Sequence, residues 1–248
     1  MRAFYLGGSG ILSTRLTHDM SFMRIGIDAS RARSGGAKAH LIGILQALKP
    51  ENFGIDEVHV WTFSALASRL PSRDWLRVHT PPELDRSLPR QLWWQACRLG
   101  TSARSCGCDI LFSVDASTLC LFRPMVVLSQ DMLSYEPGIM KLFGFGLGRL
   151  RLICILFLQN YAFKRSQGVI FLTKYAGEVI QKSCGNLSRV SYIPHGVDEM
   201  FGTEPLAEIA SLPGAIRCIY VSNAAPYKHQ WVVIRAIEAL RNQGYNIN

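Results

Sequence analysis

A pair of glycines stands where a phosphate could bind. Gly35 and Gly36 follow the apolar run Ile25–Ile27 and open a helical pattern, with Lys38 and His40 close behind them. Glycine lets another molecule approach the backbone closely, and a helix N-terminus offers unpaired N–H groups and a partial positive charge to an anion. The spacing predicts an anion site, although a tight turn between strand and helix explains the two glycines equally well.

A second set of polar residues follows the predicted strands at their carboxyl ends. In open parallel sheets ligands bind in the crevice outside these ends. The set comprises Asp28, Gln130, Asp131, Thr173, His195 and Gly196. A single Asp or His usually caps a turn or a helix, so the prediction of a cleft depends on their convergence at one edge of the sheet.

A lysine near the end of the chain is a further candidate. Lys228 comes after Asn223 and Pro226, in a segment that leads into the last helical pattern. We predict that it lies in the first turn of that helix, where it could bind a phosphate as a point charge. An ordinary solvated lysine is the other interpretation.

The cysteines argue against a disulfide framework. There are seven, an odd number, and they are scattered along the chain, which favours a reducing compartment. Cys106 and Cys108 form a Cys-x-Cys pair with no second pair and no histidine nearby in the sequence. We therefore expect no zinc site and no other metal.

The elements that must position these residues alternate between strands and helices. From Arg24 onward, short strand-like runs alternate with helical patterns. Nearly every residue in these runs is apolar, as in parallel strands buried on both faces. This order predicts an α/β fold with a doubly wound, Rossmann-like parallel sheet. A long helix is expected over about Ile139–Phe163, and a strand over Ile216–Val221.

Composition excludes several classes of protein. The 248 residues carry 27 Lys+Arg against 18 Asp+Glu, a net charge of +9, and 48% are hydrophobic, which is typical of a globular chain and not of a disordered tail. The longest aliphatic run, Leu152–Leu158, has seven residues, whereas a bilayer span needs about 20. We expect no transmembrane helix.

The chain divides into four parts. We expect an extension over residues 1–23 (with Met23 as an alternative start to Met1), an N-terminal Rossmann-like domain over 24–197, and a polar connection over 198–215. Residues 216–248 hold only one strand and one helix of a second α/β domain. One such pair cannot close a sheet, so this second domain is expected to be truncated.

The same residues carry a family resemblance. Ile25–Asp28 and Gly35–His40 resemble the first strand and the Gly-Gly-x-x-x-His loop of retaining glycosyltransferases of family 4, which have the two-domain GT-B fold. Val169–Thr173 and Ile193–Asp198 are similar to that family's closing strands of the acceptor domain. Tyr220–Lys228 is similar to the opening of its donor-binding domain. The likeness covers about residues 24–248.

The resemblance implies transfer of a sugar from a nucleotide-sugar to a saccharide or lipid-linked acceptor, in the synthesis of a surface polysaccharide, with no metal or other cofactor. It implies His40 and Asp131 as catalytic residues. The donor and phosphate positions would be Gly35, Gly36, Asn223 and Lys228. The cleft and acceptor positions would be Asp28, Lys38, Gln130, Thr173, His195 and Gly196.

Three departures from the family pattern limit that implication. Asn223 stands where the family has a basic residue, and Gln130 where it often has a histidine. The Glu-x7-Glu motif that contacts the donor sugar is absent, since no two glutamates are eight positions apart. We therefore expect the chain by itself to be inactive. The alternatives are a non-catalytic acceptor-binding or partner subunit, or a nucleotide-binding domain of other chemistry, against which the lack of a well-placed Gly-x-Gly-x-x-Gly argues.

The basic residues bear on partners and location. Several flank the apolar stretch Leu150–Phe163, namely Lys141, Arg149, Arg151, Lys164 and Arg165. Attraction to an anionic membrane would suit a cytoplasmic protein held peripherally at the inner face of the cell membrane. A buried helix whose arginines reach solvent at its ends is the interpretation that we favour. The basic residues are spread and form no recognition motif, so nucleic acid is not expected as a partner.

Overall fold

The computed structural model describes residues 23–196 and 216–247. In the first range seven parallel strands form one sheet in the order β3-β2-β1-β4-β5-β6-β7. The strands are β1 Met23–Asp28, β2 Ile55–Trp61, β3 Leu76–His79, β4 Ile110–Ser113, β5 Met125–Ser129, β6 Gly168–Phe171 and β7 Val190–Tyr192. The predicted α/β, doubly wound, Rossmann-like class is confirmed.

Helices occupy most of the connections between strands. They are α1 Gly35–Ala47, α2 Ser64–Ala67, α3 Leu88–Cys97, α4 Leu99–Ser105, α5 Ile139–Leu142, α6 Leu147–Arg165, α7 Lys174–Cys184 and α8 Gln230–Asn242. The chain builds outward from β1 to β3, then returns to the other side of β1 at β4. Right-handed crossovers in opposite directions place the connecting helices on opposite faces of the sheet.

The core lies between the centre of the sheet and these helices. Leu41 and Leu45 of α1 are fully buried, as are Val60 and Trp61 of β2. Gly26 in β1 belongs to this packing, because a Cβ there would lie 2.9 Å from Leu111 Cδ1 and 3.1 Å from the Trp61 ring. The approach of β1 to its neighbours therefore requires glycine.

The long helix predicted over Ile139–Phe163 is two helices. α5 ends at Leu142 and α6 begins at Leu147. Gly144 between them has a φ of 54°, in the left-handed region that glycine adopts without strain. The prediction of one continuous helix is wrong because the apolar pattern does not show this reversal of backbone conformation.

Residues 216–247 contain the predicted helix but not the predicted strand. α8 contains the predicted apolar positions from Val232 to Leu240. The expected strand over Ile216–Val221 is reduced to a single parallel bridge between Ile216 and Ile247, since a strand forms only when a neighbour pairs with it. The predicted extension, except Met23, and the whole of the predicted connection 198–215 lie outside the described residues. In the described part, no helix is long and apolar enough to cross a membrane.

Candidate functional site

The site is built where the strand order reverses. β1 and β4 are neighbours in the sheet but come from opposite directions of winding, and Asp28 pairs in register with Ser113 at their carboxyl ends. In doubly wound sheets this reversal opens a crevice between the loops that follow the two strands. Here those loops are 29–34, which leads into α1, and 114–124, which leads into β5.

Asp28 forms the floor of this crevice. Its side chain accepts hydrogen bonds from the Ser30 hydroxyl at 2.6 Å, the Gln95 amide at 2.7 Å, the Ser113 hydroxyl at 3.2 Å and the Thr118 hydroxyl at 3.1 Å. The residue is 1% exposed. A carboxylate with this many donors joins β1, α3, β4 and the loop after β4 into one network, so in this structure Asp28 positions the cleft loops from below.

The partners of Asp28 were not predicted from the sequence. Ser113 ends β4 as Asp28 ends β1, so the strand-end criterion that selected Asp28 would have found it. Gln95 and Thr118 gave no such signal, because they reach Asp28 across separations of 67 and 90 residues. Only the folded arrangement of α3 and the 114–124 loop brings them to the carboxylate.

The N-terminus of α1 faces open space. Ser34 caps the helix by accepting a hydrogen bond from the Ala37 amide at 3.2 Å. Gly35 and Gly36 are exposed, and an added Cβ at either would meet no atom within 4 Å. Local packing therefore does not require glycine at these two positions. The unpaired amides of a first helical turn and the lack of any acidic residue there leave this end electropositive.

Three basic residues flank that helix end in the chain, namely Arg31, Arg33 and Lys38. The Arg33 guanidinium lies 3.5 Å from the centre of the Phe63 ring, and the Lys38 ammonium lies 5.8 Å from the same ring. Arg31 forms an ion pair with Asp115 at 3.2 Å. Lys38 was predicted to belong to the site, whereas Arg31 and Arg33 were not. Their position in the loop between β1 and α1 was the signal available in the sequence.

Two histidines predicted at separate places in the chain meet in the fold. The rings of His40 in α1 and His195, which follows β7, contact each other edge to face with 4.4 Å between centroids. His40 Nδ1 is buried and has no hydrogen-bond partner among the described residues. Burial, with a smaller contribution from His195, lowers the pKa of His40 below its ordinary value of 6.5. The ring is therefore neutral at neutral pH.

The other predicted strand-end residues make local contacts. Gln130 donates to the Val114 carbonyl at 3.1 Å. The carboxylate of Asp131 is exposed and accepts from the Leu133 amide at 2.8 Å. Thr173 caps α7 by accepting from the Ala176 amide at 3.1 Å, and Gly196 is exposed next to His195. Gln130 thus tethers the loop after β4, and Asp131 and Thr173 cap turns that begin at strand ends.

Asn223 and Lys228 belong to the C-terminal segment. Lys228 lies in a 3-10 turn, Pro226–Lys228, that precedes α8, and not in the first turn of the helix as predicted. Its ammonium is 5.3 Å from the centre of the Tyr227 ring, and its carbonyl accepts from the Tyr220 hydroxyl at 2.6 Å. The Asn223 carbonyl accepts from the Gln230 side chain at 3.2 Å. Both residues are exposed.

Comparison with known proteins shows the fold. No protein-family model matches the chain, and no curated protein matches it. Among solved structures it is similar to Anabaena Alr3699/HepE in complex with UDP and glucose, with a TM-score of 0.52 and 19% identity over 86% of this chain. Alr3699/HepE in complex with UDP gives a TM-score of 0.52 at 18% identity. The fold is GT-B-like.

The chain spans 57% of the length of each of those two structures. The predicted residues that the fold brings to the β1–β4 edge are Gly35, Gly36, Lys38, His40 and His195, with Asp28 beneath them. The proteins compared share this architecture at low identity, and the likeness shows the fold alone.

Proposed function

We propose that the chain belongs to a retaining glycosyltransferase that moves a sugar from a nucleotide-sugar to a saccharide or lipid-linked acceptor. The observation that carries the proposal is the open N-terminus of α1, bare of side chains at Gly35 and Gly36 and with Arg33 and Lys38 beside it in the chain, at the crevice of a GT-B-like sheet. A nucleoside diphosphate is the anion that this arrangement suits, since its oxygens can accept from the Gly35 and Gly36 amides together.

The chemistry follows from where charge develops. Departure of the nucleoside diphosphate places negative charge on its phosphate oxygens in the transition state. Fixed amides and cations at that point lower the barrier, because they need no reorganisation as the charge appears. The α1 terminus and Lys38 would supply part of this field, and Lys228 in the C-terminal segment would supply a second cation, with Asn223 near it.

His40 and Asp131 are proposed as the residues that act on the sugars. A neutral imidazole can donate one hydrogen bond and accept another, so His40 can bind a sugar hydroxyl without competing for the negative phosphates. His195 contacts its ring edge to face. The exposed Asp131 carboxylate is free on its solvent side to orient an acceptor hydroxyl.

A lipid-linked acceptor is supported by the surface around α5 and α6. Phe145 is 99% exposed, Leu147 85% and Phe157 67%, so this side of α6 is not buried as the interpretation favoured from the sequence required. Arg149 and Arg151 stand on the same helix. Exposed apolar groups beside basic ones suit the face of an anionic membrane. We therefore propose peripheral attachment at the cytoplasmic face and a role in building a surface polysaccharide.

The first test is titration of the 248-residue chain with UDP, followed by incubation with radiolabelled UDP-glucose. We expect UDP binding, and no sugar transfer above background by this chain alone. Lys38→Ala and Lys228→Ala are each expected to weaken UDP binding about tenfold, as loss of one charge contact would. Lys182→Ala, an exposed lysine at the far end of α7, is the control. Absence of UDP binding by the unaltered chain would overturn the donor assignment.

A second test concerns the whole protein. Reading the coding frame past Asn248 would show whether a Glu-x7-Glu motif follows. If it does, the longer protein should transfer sugar, and Lys228→Ala in that protein should lower the rate. Equal rates in the two would remove Lys228 from the mechanism.

A non-catalytic partner subunit is the second candidate function. The observation in its favour is the apolar surface of the C-terminal segment, where Ile219 is 86% exposed, Val221 88% and Ile234 68%. Co-purification of a donor-domain protein that is released by Ile234→Asp would support this function, whereas transfer of glucose from UDP-glucose by the chain itself would exclude it.

A further inference from the structure

A cluster of metal-ligating side chains lies on β2, β3 and the end of α4. His59, His79 and Cys106 each offer one ligand atom, and these atoms all lie within 4.8 Å of one another. His59 is buried, and the other two are partly buried. None of the three belongs to the proposed sugar-transfer site. Cys106 has no histidine near it in the sequence, but the fold brings two to it.

The sheet explains why the two histidines meet. β2 and β3 are parallel neighbours in which His59 pairs with Arg77 and Trp61 with His79. Alternate residues of a strand share a face, so His59 and Trp61 point the same way and His79 lies beside them. His59 Nδ1 is 3.0 Å from His79 Nε2.

The third ligand, Cys106, lies at the C-terminus of α4. Trp61 donates its indole N–H to the Ser102 hydroxyl at 2.9 Å, which holds α4 against β2. Cys106 caps the C-terminus of α4 and its amide donates to the Ser102 carbonyl at 3.1 Å. Residues four apart lie on one side of a helix. The contact at Ser102 therefore carries the Cys106 thiol to the same face of the sheet as the histidines.

We propose that His59, His79 and Cys106 bind one zinc ion. Two imidazole nitrogens and one thiolate are a donor set that Zn²⁺ prefers, with a water completing the tetrahedron. Tetrahedral zinc with bonds of about 2.0–2.3 Å separates its ligand atoms by about 3.3–3.6 Å. The two histidine nitrogens, 3.0 Å apart, are already near that spacing. Binding of zinc therefore requires a shift of about 1 Å by the partly buried side chains of the cluster.

The Glu57 carboxylate contacts the side of the His59 ring that faces away from the cluster, as carboxylates commonly do in zinc sites. His59 Nε2 is 3.4 Å from Glu57 Oε2, so this nitrogen can donate to Glu57 while Nδ1 faces the metal. Glu57 is held in turn by Arg77 at 3.1 Å. Such carboxylate–histidine pairs fix the ring orientation and the tautomer of a ligating histidine. Both histidines would bind in their neutral forms, and the Cys106 thiol would release its single proton to solvent.

The zinc would cross-link three elements of the fold. It would tie the C-terminal end of α4 to β2 and to the edge strand β3, across chain separations of 27 and 47 residues. Zinc with three protein ligands at this place adds a cross-link where the described fold has one hydrogen bond, from Trp61 to Ser102.

The test uses the full chain stripped of metal with a chelator and then titrated with Zn²⁺ against a competing indicator. We expect one zinc per chain and release of about one proton per zinc, measured by calorimetry in two buffers. With Co²⁺ as the probe, a thiolate-to-metal charge-transfer band should appear. Since these measurements need no variant, failure to see stoichiometric binding or the thiolate band overturns the proposal.

Variants assign the ligands. Glu57→Gln should weaken zinc binding roughly 10–100-fold, as loss of a partner behind a ligand does, and Cys106→Ser and His79→Gln should weaken it more. Cys97→Ser, at an exposed cysteine in α3, is the matched control and should bind as the unaltered chain does. Circular dichroism checks that each variant is folded. Zinc binding by folded Cys106→Ser with unaltered affinity would overturn the assignment.

Discussion

Asp28 shows how burial assigns a role to a residue that resembles an active-site group in the sequence. A lone aspartate at the end of a parallel strand has the position of a ligand-binding residue, and only the fold reveals the four side chains that donate to it. Charge-assisted hydrogen bonds to a buried carboxylate are strong, and each donor left without a partner adds a desolvation cost.

Replacing Asp28 should therefore destabilise the protein. We expect Asp28→Ala to lower the free energy of unfolding by about 3–5 kcal/mol, because several buried donors lose their acceptor together. Asp131→Ala, which removes one exposed cap, should cost about 1 kcal/mol. Urea denaturation measures both. Similar losses in the two variants would show that the network under the crevice contributes little.

The burial of His40, with a smaller contribution from His195, should make stability depend on pH. The folded-state pKa of His40 lies below its ordinary value of 6.5, so the unfolded chain binds the proton more readily. Its contribution to stability is present above about pH 6.5 and is lost as the pH falls through the folded-state pKa.

Urea unfolding at pH 7.5 and pH 5.5 tests this contribution. We expect His40→Gln to lose less stability over this interval than the unaltered chain loses. His229→Gln, which changes an exposed ring in the C-terminal segment, serves as the control. It should lose as much stability between the two pH values as the unaltered chain does. An identical pH dependence in His40→Gln would contradict the assignment.

At the scale of elements, a substitution at the N-terminus of α1 should change ligand binding without lowering the stability of the fold. Gly36→Ala places a methyl group in open space at a helical position, so the free energy of unfolding should stay the same or rise by up to ~1 kcal/mol. The same methyl group would stand where we propose the diphosphate binds, and UDP affinity should fall. Denaturation and calorimetric titration on one preparation measure both quantities.

Gly26→Ala is the matched contrast in the neighbouring strand. Its methyl group would meet Leu111 at 2.9 Å and Trp61 at 3.1 Å, and overpacking of this kind costs about 1–3 kcal/mol. Unaltered UDP binding by Gly36→Ala would mean that the glycine pair serves the turn alone.

At the scale of the whole molecule, the surface of α5 and α6 and the net charge of +9 predict attraction to anionic vesicles. Co-sedimentation with phosphatidylglycerol vesicles should exceed that with phosphatidylcholine vesicles and should weaken as salt is added. Leu147→Ser combined with Phe157→Ser should reduce it, because both side chains are exposed. Sedimentation that ignores lipid charge would count against a membrane role.

The sequence predicts the sheet well because buried parallel strands are short apolar runs, and those of β1 to β7 are separated by clear helical patterns or turns. It predicts poorly whatever depends on register or on backbone reversal. The break at Gly144 and the meeting of His59, His79 and Cys106 are examples. Residues 20 and 47 positions away from His59 become its neighbours only once β3 and α4 are in place.

The network on Asp28 also bears on how the crevice forms and is lost. Its donors lie up to 90 residues away along the chain, so no short stretch can build this floor by itself, and closing such long loops carries an entropic cost. The crevice and the centre of the sheet therefore belong to one cooperative unit. On heating, ligand recognition and the tertiary structure of the sheet should disappear together at a single temperature.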